Sequence, residues 1–355
     1  MKTIRSIFIV VIMLGLMAPS VLMLAGVKNA NRENRPLASM PKLFNEKGLN
    51  TDFAPGFDEY VDDHFALREH LVNSFNTISA SVLKDTNSTE AVIGNDSHIL
   101  FAKTVNDYLG VDQLNEEQIG VIAEYLSDVA GELEARGIGF VFITAPNKAS
   151  VYPEAMPGYL KPVDTPRNID MLNAALKEKD VPFIDAKALL IGAKTIRPVY
   201  YKHDSHWNNY GAALVYNSIA DAFGLERFDA ETFTVKCDRT GDLHNFIYPT
   251  SDYYEDRFIY PQFHEYRSSR PINFERDRKV ETTSGVNSLK MVVLHDSFGR
   301  SLQPFLSQSV GSLYMNSAFP YNIDYVLEIE PDFVVIELVE RNLSLLYDHA
   351  KTLGY

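Results

Sequence analysis

The sequence predicts an α/β fold in which helices flank a parallel sheet, and two observations support this prediction. Three near-continuous apolar runs are typical of strands buried on both faces of a sheet; they are 139–144, 289–294 and 333–338. Stretches with apolar residues at helical spacing lie between and around these runs. Strands that alternate with helices form parallel sheets covered on both faces.

The N-terminal residues 1–27 differ in character from the rest of the chain. Lys2 and Arg5 precede an uncharged, mostly apolar run over 7–27, about as long as the ~20 residues that a helix needs to cross a bilayer. A cleaved signal peptide has a shorter apolar region and a small-x-small cleavage site, so the run favours an uncleaved signal anchor. A cleaved signal peptide and a buried core helix are the alternatives.

The positive residues before the apolar run predict its orientation, because such flanks stay in the cytoplasm. Under either export interpretation the remaining residues lie outside the cytoplasm. The anchor interpretation predicts a single-pass protein of the cell membrane, with its domain on the periplasmic or extracellular side.

The predicted organisation after the anchor is a tether over 28–56, polar up to about residue 41, and one domain over 57–355. Apolar positions recur at helical spacing over 57–83 and predict an amphipathic helix packed on the main body. A short strand or turn is expected around 91–101.

The main body continues the alternation in chain order. Its predicted helices are 116–136, closed by Gly137, then 166–179, 208–223, a helix starting near Ser297, and 340–351. Its predicted strands are 139–144, 181–184, a short β-prone segment at 199–201, 289–294 and 333–338. Residues 228–280 are rich in Tyr, Phe, Arg and Asp and lack helical spacing, so they predict an irregular or β-rich insertion beside the site.

Composition argues against several classes of function. The formal net charge of −14 argues against binding nucleic acid through a basic surface and against broad electrostatic attachment to anionic membranes. Cys237 is the only cysteine, which excludes an intrachain disulfide and a multi-cysteine zinc site. Nucleic acid is therefore not an expected partner.

Two short segments supply an acid, a base and a nucleophile: Asp204-Ser205-His206-Trp207 and His295-Asp296-Ser297-Phe298. A serine hydroxyl attacks a carbonyl poorly unless a base removes its proton, and the base works best when an acid fixes its tautomer. Asp204, His206 and Ser297 fit these roles, and each closely follows a predicted strand. Because active residues of parallel sheets lie outside the carboxyl ends of strands, we predict that these three catalytic residues meet there.

Simpler interpretations of these residues are also available. An Asp-x-His triplet is a weak motif, and Ser297 between a strand and a helix is suited to capping that helix. His203, Asp204 and His206 include ligand types for zinc. Neighbouring loop residues seldom all point at one ion, and no His-Glu-x-x-His pattern is present. No metal site and no cofactor are therefore predicted.

Aromatic residues allow two interpretations each. Trp207, the only tryptophan, is either a core residue or a surface on which a sugar stacks. The aromatic residues of 246–266 either line a carbohydrate cleft or pack within the insertion.

These segments resemble those of the alginate O-acetyltransferases and their relatives, which are SGNH-hydrolase-like proteins. Residues 203–207, followed by Asn209-Tyr210-Gly211-Ala212, resemble the family's Asp-x-His-Trp segment, and Asp296-Ser297-Phe298 resembles part of its serine block. Further similar segments are Pro146-Asn147-Lys148 with Tyr152-Pro153-Glu154, 33–37 and 63–68. The resemblance spans about 33–345 and departs from the pattern at His295, where the block usually has glycine.

The resemblance implies an SGNH-like fold and transfer of acetyl groups to hydroxyls of an exported cell-surface polysaccharide. It also implies a partner, a multi-pass membrane-bound O-acyltransferase that passes acyl groups across the bilayer. Substrate-binding residues are expected to be Lys148, Tyr152, Trp207, Arg300 and Arg341, with a structural ion pair as the alternative for Arg341. Two alternative functions are an esterase that uses the same residues and a non-catalytic glycan-binding component of an export complex.

Overall fold

The computed structural model describes residues 2–27, 37–45, 48–82, 88–263 and 265–355. The chain divides into two compact units: Met1–Ala91 with Asp242–Tyr253, and Val92–Gly241 with Tyr254–Tyr355. Residues 28–36 of the predicted tether lie outside the described residues. They include most of the family-like segment 33–37. The predicted boundaries of anchor, tether and domain stay predictions.

α-Helices, short 3-10 helices and strands alternate along the described chain. The α-helices are Lys2–Leu24, Phe53–His64, Arg68–Val82, Val105–Tyr108, Glu116–Ala135, Lys148–Val151, Asn168–Glu178, Ala186–Ala193, Asn209–Phe223, His244–Ile247, Gln303–Ser309, Ile323–Ile329 and Leu343–Thr352. The 3-10 helices are Ala102–Thr104, Pro153–Ala155, Phe298–Leu302 and Glu340–Asn342. The strands are Phe44–Asn45, Gly48–Leu49, Ala91–Ile93, Ile99–Phe101, Gly139–Ala145, Phe183–Ile184, Thr234–Arg239, Glu255–Ile259, Arg267–Ser268, Lys279–Thr283, Lys290–Leu294, Ser312–Asn316 and Phe333–Val339.

The first unit begins with the helix Lys2–Leu24. Among the helices that the structure describes, its Arg5–Leu24 portion is the one long and apolar enough to cross a membrane. A signal sequence near the N-terminus passes the same test of length and composition, so the signal anchor stays a prediction.

The single helix predicted over 57–83 is wrong, because this part of the chain forms two helices. They are Phe53–His64 and Arg68–Val82. Leu67, between them, has a positive φ of 64°, a conformation that a bulky side chain seldom adopts and that interrupts the helical path.

The helix Arg68–Val82 also buries a different face from the one that its apolar residues predicted. Leu71 and Phe75 are 49% and 52% exposed. The buried polar residues of this helix are Glu69, Asn76 and Ser79. Asn76 donates a hydrogen bond to the Ile247 carbonyl at 2.7 Å, so a polar contact fixes which face is buried.

The main sheet lies in the second unit and is mixed. Its strand order is Phe183–Ile184, Gly139–Ala145, Phe333–Val339, Lys290–Leu294, Ser312–Asn316, Lys279–Thr283 and Arg267–Ser268. The strands from Phe183–Ile184 to Ser312–Asn316 run parallel, whereas Lys279–Thr283 is antiparallel to both neighbours. The predicted α/β fold is confirmed, and a wholly parallel sheet is wrong at this edge. Buried and exposed residues alternate in Lys279–Thr283, as is typical of an antiparallel strand buried on one face.

Helices cover both faces of the main sheet, as predicted. The helices on one side include Glu116–Ala135 and Asn168–Glu178, and those on the other include Ala186–Ala193 and Asn209–Phe223. Phe142 of the strand Gly139–Ala145 packs with the helices of the first side, and its neighbours Val141 and Ile143 pack with those of the other side, because successive side chains point to opposite faces. Burial on both faces explains the near-continuous apolar runs, and each such side chain stabilises the fold by roughly 1.5–3 kcal/mol.

The irregular or β-rich insertion predicted over 228–280 is β-rich in its first part, whereas its last strands, Arg267–Ser268 and Lys279–Thr283, belong to the main sheet. Its strands Thr234–Arg239 and Glu255–Ile259 pair antiparallel. Phe258 and Tyr260 are buried, and the Tyr260 ring lies 5.7 Å from that of Phe305. These two rings therefore favour the packed insertion over a carbohydrate cleft.

Candidate active site

Asp204, His206 and Ser297 form a hydrogen-bonded chain. Ser297 Oγ lies 2.9 Å from His206 Nε2, and His206 Nδ1 lies 2.7 Å from Asp204 Oδ1. The carboxylate acceptor assigns the imidazole proton to Nδ1, which leaves Nε2 able to take the serine proton. The structure thus brings together the three side chains that the sequence predicted to meet; their catalytic role stays a prediction.

A closed loop, rather than a strand, carries the acid and the base. The segment 199–201 forms an isolated bridge between Tyr200 and Trp207. The Asn208 amide donates to the Val199 carbonyl at 2.9 Å, so the segment pairs with its own continuation. The β-prone segment 199–201 therefore forms one isolated bridge rather than a strand of the main sheet, and the Asn208 side chain caps the helix Asn209–Phe223.

Residues of the insertion fix the backbone of this loop. The Glu255 carboxylate accepts hydrogen bonds from the amides of Lys202 and His203, the second at 2.7 Å. A Cβ atom on Gly241 would lie 2.0 Å from the His203 carbonyl oxygen, so only glycine permits this close approach. The insertion therefore positions the residues directly before Asp204.

The surroundings of Asp204 keep its carboxylate charged. Burial by itself would raise the pKa of Asp204, but the hydrogen bond and charge of His206, together with Arg239, hold that pKa well below its usual range. Arg239 Nη2 lies 2.6 Å from Asp204 Oδ2. A carboxylate that stays charged can stabilise an imidazolium formed at His206.

Ser297 lies on the turn that precedes the 3-10 helix Phe298–Leu302. Its hydroxyl makes no capping hydrogen bond. The Asp296 carboxylate accepts from the Phe298 amide at 3.0 Å and from the Val339 amide at 2.8 Å. The alternative that Ser297 caps this helix is therefore wrong, and Asp296 both caps the helix and ties it to the sheet.

A buried glutamate, Glu337, fixes the same turn. Its Oε2 accepts from the amides of Asp296 at 3.2 Å and Gly299 at 2.9 Å. Burial, and then the nearby Asp296 carboxylate, raise the pKa of Glu337 well above its usual range. His295 fits before the turn because Gly299 has no side chain: a Cβ atom on Gly299 would lie 2.5 Å from that of His295.

One backbone donor remains beside the serine hydroxyl. The amides of Asp296, Phe298 and Gly299 all donate to carboxylates. The Ser297 amide makes no hydrogen bond to any residue in the described part of the chain. It is therefore available to donate to an oxyanion that forms at a substrate carbonyl.

Two of the predicted substrate-binding residues brace the loop that carries Asp204. Lys148 is buried, and its ammonium donates to the carbonyls of Ile99 at 2.6 Å and Lys202 at 2.9 Å. The Tyr152 hydroxyl accepts from the Val199 amide at 3.0 Å. A direct substrate contact of either residue stays a prediction.

Trp207 connects the histidine loop with the serine turn. It is 1% exposed, its indole N–H donates to the Ser301 hydroxyl, and its ring lies 5.1 Å from Phe298 edge to face. These contacts favour the core-residue interpretation over sugar stacking.

The two predicted arginines differ in their surroundings. Arg300 Nη1 lies 2.6 Å from Glu275 Oε1 in a surface ion pair, which contributes little stability. The Arg341 guanidinium lies 5.2 Å from the Phe101 ring and 5.5 Å from the Phe298 ring. Arg341 therefore contacts the residue that follows Ser297, and its substrate role stays a prediction.

A buried charged cluster lies behind the loop that follows the strand Gly139–Ala145. Glu340 accepts from the Asn147 amide at 2.8 Å and from the Ser150 hydroxyl. Arg167 Nη2 lies 3.3 Å from Glu340 Oε1 and also pairs with Asp107. Burial raises the pKa of Glu340 to about 7, although Arg167 acts in the opposite direction.

Replacing Glu340 with glutamine is expected to remove a pH dependence of folding stability. The folded-state pKa of about 7 exceeds the unfolded value of about 4.3, so the folded chain keeps a proton that the unfolded chain has released. The contribution of Glu340 to folding stability is therefore full below about pH 4.3 and falls, as pH rises towards 7, by on the order of 1 kcal/mol per unit. Glutamine has the same shape and does not titrate.

Urea unfolding of both proteins across this pH range measures the difference. Glu328→Gln, at an exposed helical position, is the matched control and should keep the wild-type slope. An unchanged slope in Glu340→Gln would contradict the raised pKa.

The sequence did not predict three residues that position the candidate catalytic side chains: Arg239, Glu255 and Glu337. The first two lie in the insertion, which has no periodicity to mark them. The sequence does mark Glu337 as unusual, because it is the charged residue inside the otherwise apolar strand Phe333–Val339.

A serine on the turn after a strand faces a histidine and an aspartate on a neighbouring loop of an α/β sheet, an arrangement that several classes of serine-dependent hydrolases and transferases share. The family model described as SGNH hydrolase-like domain, acetyltransferase AlgX, matches residues 100–315. This match covers more than half of the chain, so the chain belongs to the AlgX family of SGNH hydrolase-like acetyltransferases.

Individual relatives are distant. The probable alginate O-acetylase AlgJ of Pseudomonas putida strain KT2440 is 23% identical over 237 residues, which cover 64% of this chain and 60% of that protein. The chain therefore spans less than two thirds of this relative. The structure of PatB1 from Bacillus cereus superposes with a TM-score of 0.55 at 16% identity and covers 71% of this chain and 97% of that one. PatB1 with a sulfonyl adduct gives a TM-score of 0.54 at 16% identity, over 70% and 96%. These structures support the fold.

Proposed function

We propose that this protein is a serine-dependent O-acetyltransferase that passes an acetyl group through acetyl-Ser297 to hydroxyls of an exported cell-surface polysaccharide. The hydrogen-bonded chain from Ser297 through His206 to the charged Asp204 carries the proposal. Membership in an acetyltransferase family supports the acetyl group. A relative named as an alginate O-acetylase supports a polysaccharide acceptor.

In the first half-reaction, Ser297 Oγ attacks the carbonyl carbon of an acetyl donor while its proton passes to His206 Nε2, 2.9 Å away. Asp204 stabilises the resulting imidazolium, and the Ser297 amide donates to the oxyanion. The bond between the acetyl carbon and the leaving oxygen then breaks. The leaving oxygen takes the proton from His206, and acetyl-Ser297 remains. The scheme uses no cofactor and no metal.

In the second half-reaction, His206 Nε2 removes a proton from a sugar hydroxyl, whose oxygen attacks the acetyl-serine carbonyl. The ester bond to Ser297 breaks, and the serine oxygen recovers the proton from His206. Arg341, which lies against Phe298, is the predicted substrate-binding residue with the strongest geometric support for reaching the acceptor.

The domain is proposed to work outside the cytoplasm, held to the membrane by Arg5–Leu24 as an uncleaved anchor. An acetyl donor on that side has to be supplied across the bilayer. A multi-pass membrane-bound O-acyltransferase is the partner that would supply it.

Acetyl transfer from p-nitrophenyl acetate to an oligosaccharide tests the proposed function. Acetylated oligosaccharide should accumulate, and Ser297→Ala should lower its rate by about 10³-fold or more because the nucleophile is absent. Ser218→Ala, on the helix Asn209–Phe223, is the matched serine control and should react like the wild type.

Ester hydrolysis that sugar does not affect, with no acetylated sugar, would identify an esterase instead. Normal polysaccharide acetylation in cells that carry Ser297→Ala would contradict a catalytic role of Ser297. It would support the alternative that the protein is a non-catalytic glycan-binding component.

A further inference from the structure

A second concave surface lies outside the Ser297 site. It is an open cleft of about 520 Å³, and its lining includes Asp96, Ser97, His98, Tyr152, Glu154 and Lys202. The catalytic candidates Asp204, His206 and Ser297 are not among its lining residues, so the mechanism above does not use it.

One edge of the cleft is a strained turn. Asp96 and Ser97 have positive φ angles of 50° and 62°, which are uncommon for residues other than glycine. The surrounding hydrogen bonds impose this conformation: the side-chain Nδ2 of Asn95 donates to the Glu154 carbonyl at 3.0 Å and to the Met156 carbonyl at 2.8 Å. Such strain persists only where neighbouring structure holds it, and it concentrates at ligand sites.

Lys202 fixes the turn from the other side of the cleft. Its ammonium donates to the Asp96 carbonyl at 2.9 Å. The cleft is therefore formed before any ligand arrives, which lowers the entropic cost of binding.

The lining chemistry suits a ligand rich in hydroxyl groups. His98 is 9% exposed, its ring lies 5.6 Å from that of Tyr152, and its Nδ1 has no hydrogen-bond partner among the described residues. Burial, followed by the charges of Lys148 and Lys202, lowers the pKa of His98 to about 4, so the ring is neutral at pH 7 and offers one donor and one acceptor.

The charges around the cleft are balanced, which disfavours a strongly anionic ligand such as a phosphate. Glu154 pairs with Lys194 at 2.8 Å, and the Asp96 carboxylate lies on the same lining as the Lys202 ammonium. A sugar unit, with several hydroxyls and no required charge, matches this mixture of donors and acceptors.

The cleft is built on the loop that leads to the candidate active site. Lys202 stands two positions before Asp204, and its carbonyl accepts from the Ile99 amide at 2.8 Å. A series of ring contacts also links His98 to His206 through Tyr152, Tyr200 and Phe298, with the largest separation 6.3 Å. The Tyr200 and Phe298 rings are buried, so these contacts limit the distance between the two sites to a length that one oligosaccharide chain can span.

We infer that this cleft is a distal acceptor subsite that binds a sugar unit of the polysaccharide away from the hydroxyl being acetylated. The inference rests on the proposed function and names a binding site for its substrate. A distal subsite strengthens binding of long acceptors and leaves the chemistry at Ser297 unchanged.

Acceptor length tests this inference with His98→Ala and Lys202→Ala. The acceptors are glucan and alginate hexasaccharides, each compared with its monosaccharide, and the variants are assayed with the hexasaccharide that the wild type acetylates faster. Each variant should lower kcat/KM for the hexasaccharide about tenfold, mainly through KM, because polar contacts to one sugar unit are lost. The rates with the monosaccharide and the formation of acetyl-Ser297 should match the wild type.

Lys177→Ala, at an exposed helical lysine, is the matched control and should leave all three rates unchanged. An equal loss for monosaccharide and hexasaccharide, or no loss for either, would overturn the subsite.

Direct binding separates the failure of this inference from the failure of the proposed function. NMR titration of Ser297→Ala with both hexasaccharides needs no catalysis. Binding that His98→Ala weakens supports the subsite even if the wild type forms no acetyl-enzyme. Binding that His98→Ala leaves unchanged, or no binding at all, would overturn it.

Discussion

Replacing Asp204 with asparagine is expected to lower kcat/KM for acetyl transfer by about 10³- to 10⁴-fold. An asparagine NH₂ group facing His206 Nδ1 favours the tautomer with its proton on Nε2, which cannot accept from Ser297. The neutral side chain also fails to stabilise the imidazolium that Asp204 contacts at 2.7 Å. Steady-state kinetics with an activated acetyl ester and an oligosaccharide acceptor measure the change.

The matched control for this substitution is Asp221→Asn. Asp221 forms an exposed ion pair with Arg227, and such pairs contribute little, so its activity should equal that of the wild type. Circular dichroism establishes that both variants are folded. An Asp204→Asn protein with activity within about tenfold of the wild type would contradict the role of this carboxylate.

Replacing Gly241 with alanine is expected to have the second large effect, on both stability and activity. The new methyl group would lie 2.0 Å from the His203 carbonyl oxygen, so the backbone next to Asp204 has to move. Such overpacking costs about 3 kcal/mol, and displacement of Asp204 should lower kcat about 10²-fold, since small misplacements of catalytic groups have such effects. Thermal unfolding and kinetics on the same sample measure both.

Gly192→Ala provides the matched glycine control. No atom lies within 4 Å of a Cβ atom at Gly192, and this residue belongs to the helix Ala186–Ala193. Alanine should therefore leave activity unchanged and stabilise the fold by up to about 1 kcal/mol. A Gly241→Ala protein that behaves like this control would show that the close approach to His203 is not required.

The position of Ser297 was predictable from the sequence because a short-range pattern encodes it, whereas Asp204 and His206, which were also predicted to meet it, lie on a loop that follows no strand of the main sheet. Ser297 follows directly on a buried apolar strand, Lys290–Leu294. The carboxyl ends of parallel strands lie at one edge of the sheet, so residues that directly follow such strands lie at that edge. The helix Glu116–Ala135 was also predictable at its end, where Gly137 follows with a positive φ of 74°.

Contacts between distant segments could not be predicted in the same way. Arg239 lies in the insertion, 35 positions after Asp204 in the sequence, and its side chain contacts Asp204. The spacing of apolar and polar residues does not predict this contact. The antiparallel strand Lys279–Thr283 alternates buried and exposed residues, but one of the strands that it joins, Ser312–Asn316, comes later in the chain and was not predicted. The polar buried face of Arg68–Val82 likewise depends on tertiary contacts that override hydrophobic periodicity.

The most direct measurement of the central claim is mass spectrometry of the intact protein after brief exposure to an acetyl donor, followed by peptide mapping. Nucleophilic attack by Ser297, activated by His206, predicts one added acetyl group on Ser297 that disappears when an acceptor sugar is supplied. His206→Ala should acquire this group far more slowly, because no base removes the serine proton. An acetyl group on another residue, or the same labelling of Ser297→Ala as of the wild type, would contradict the account.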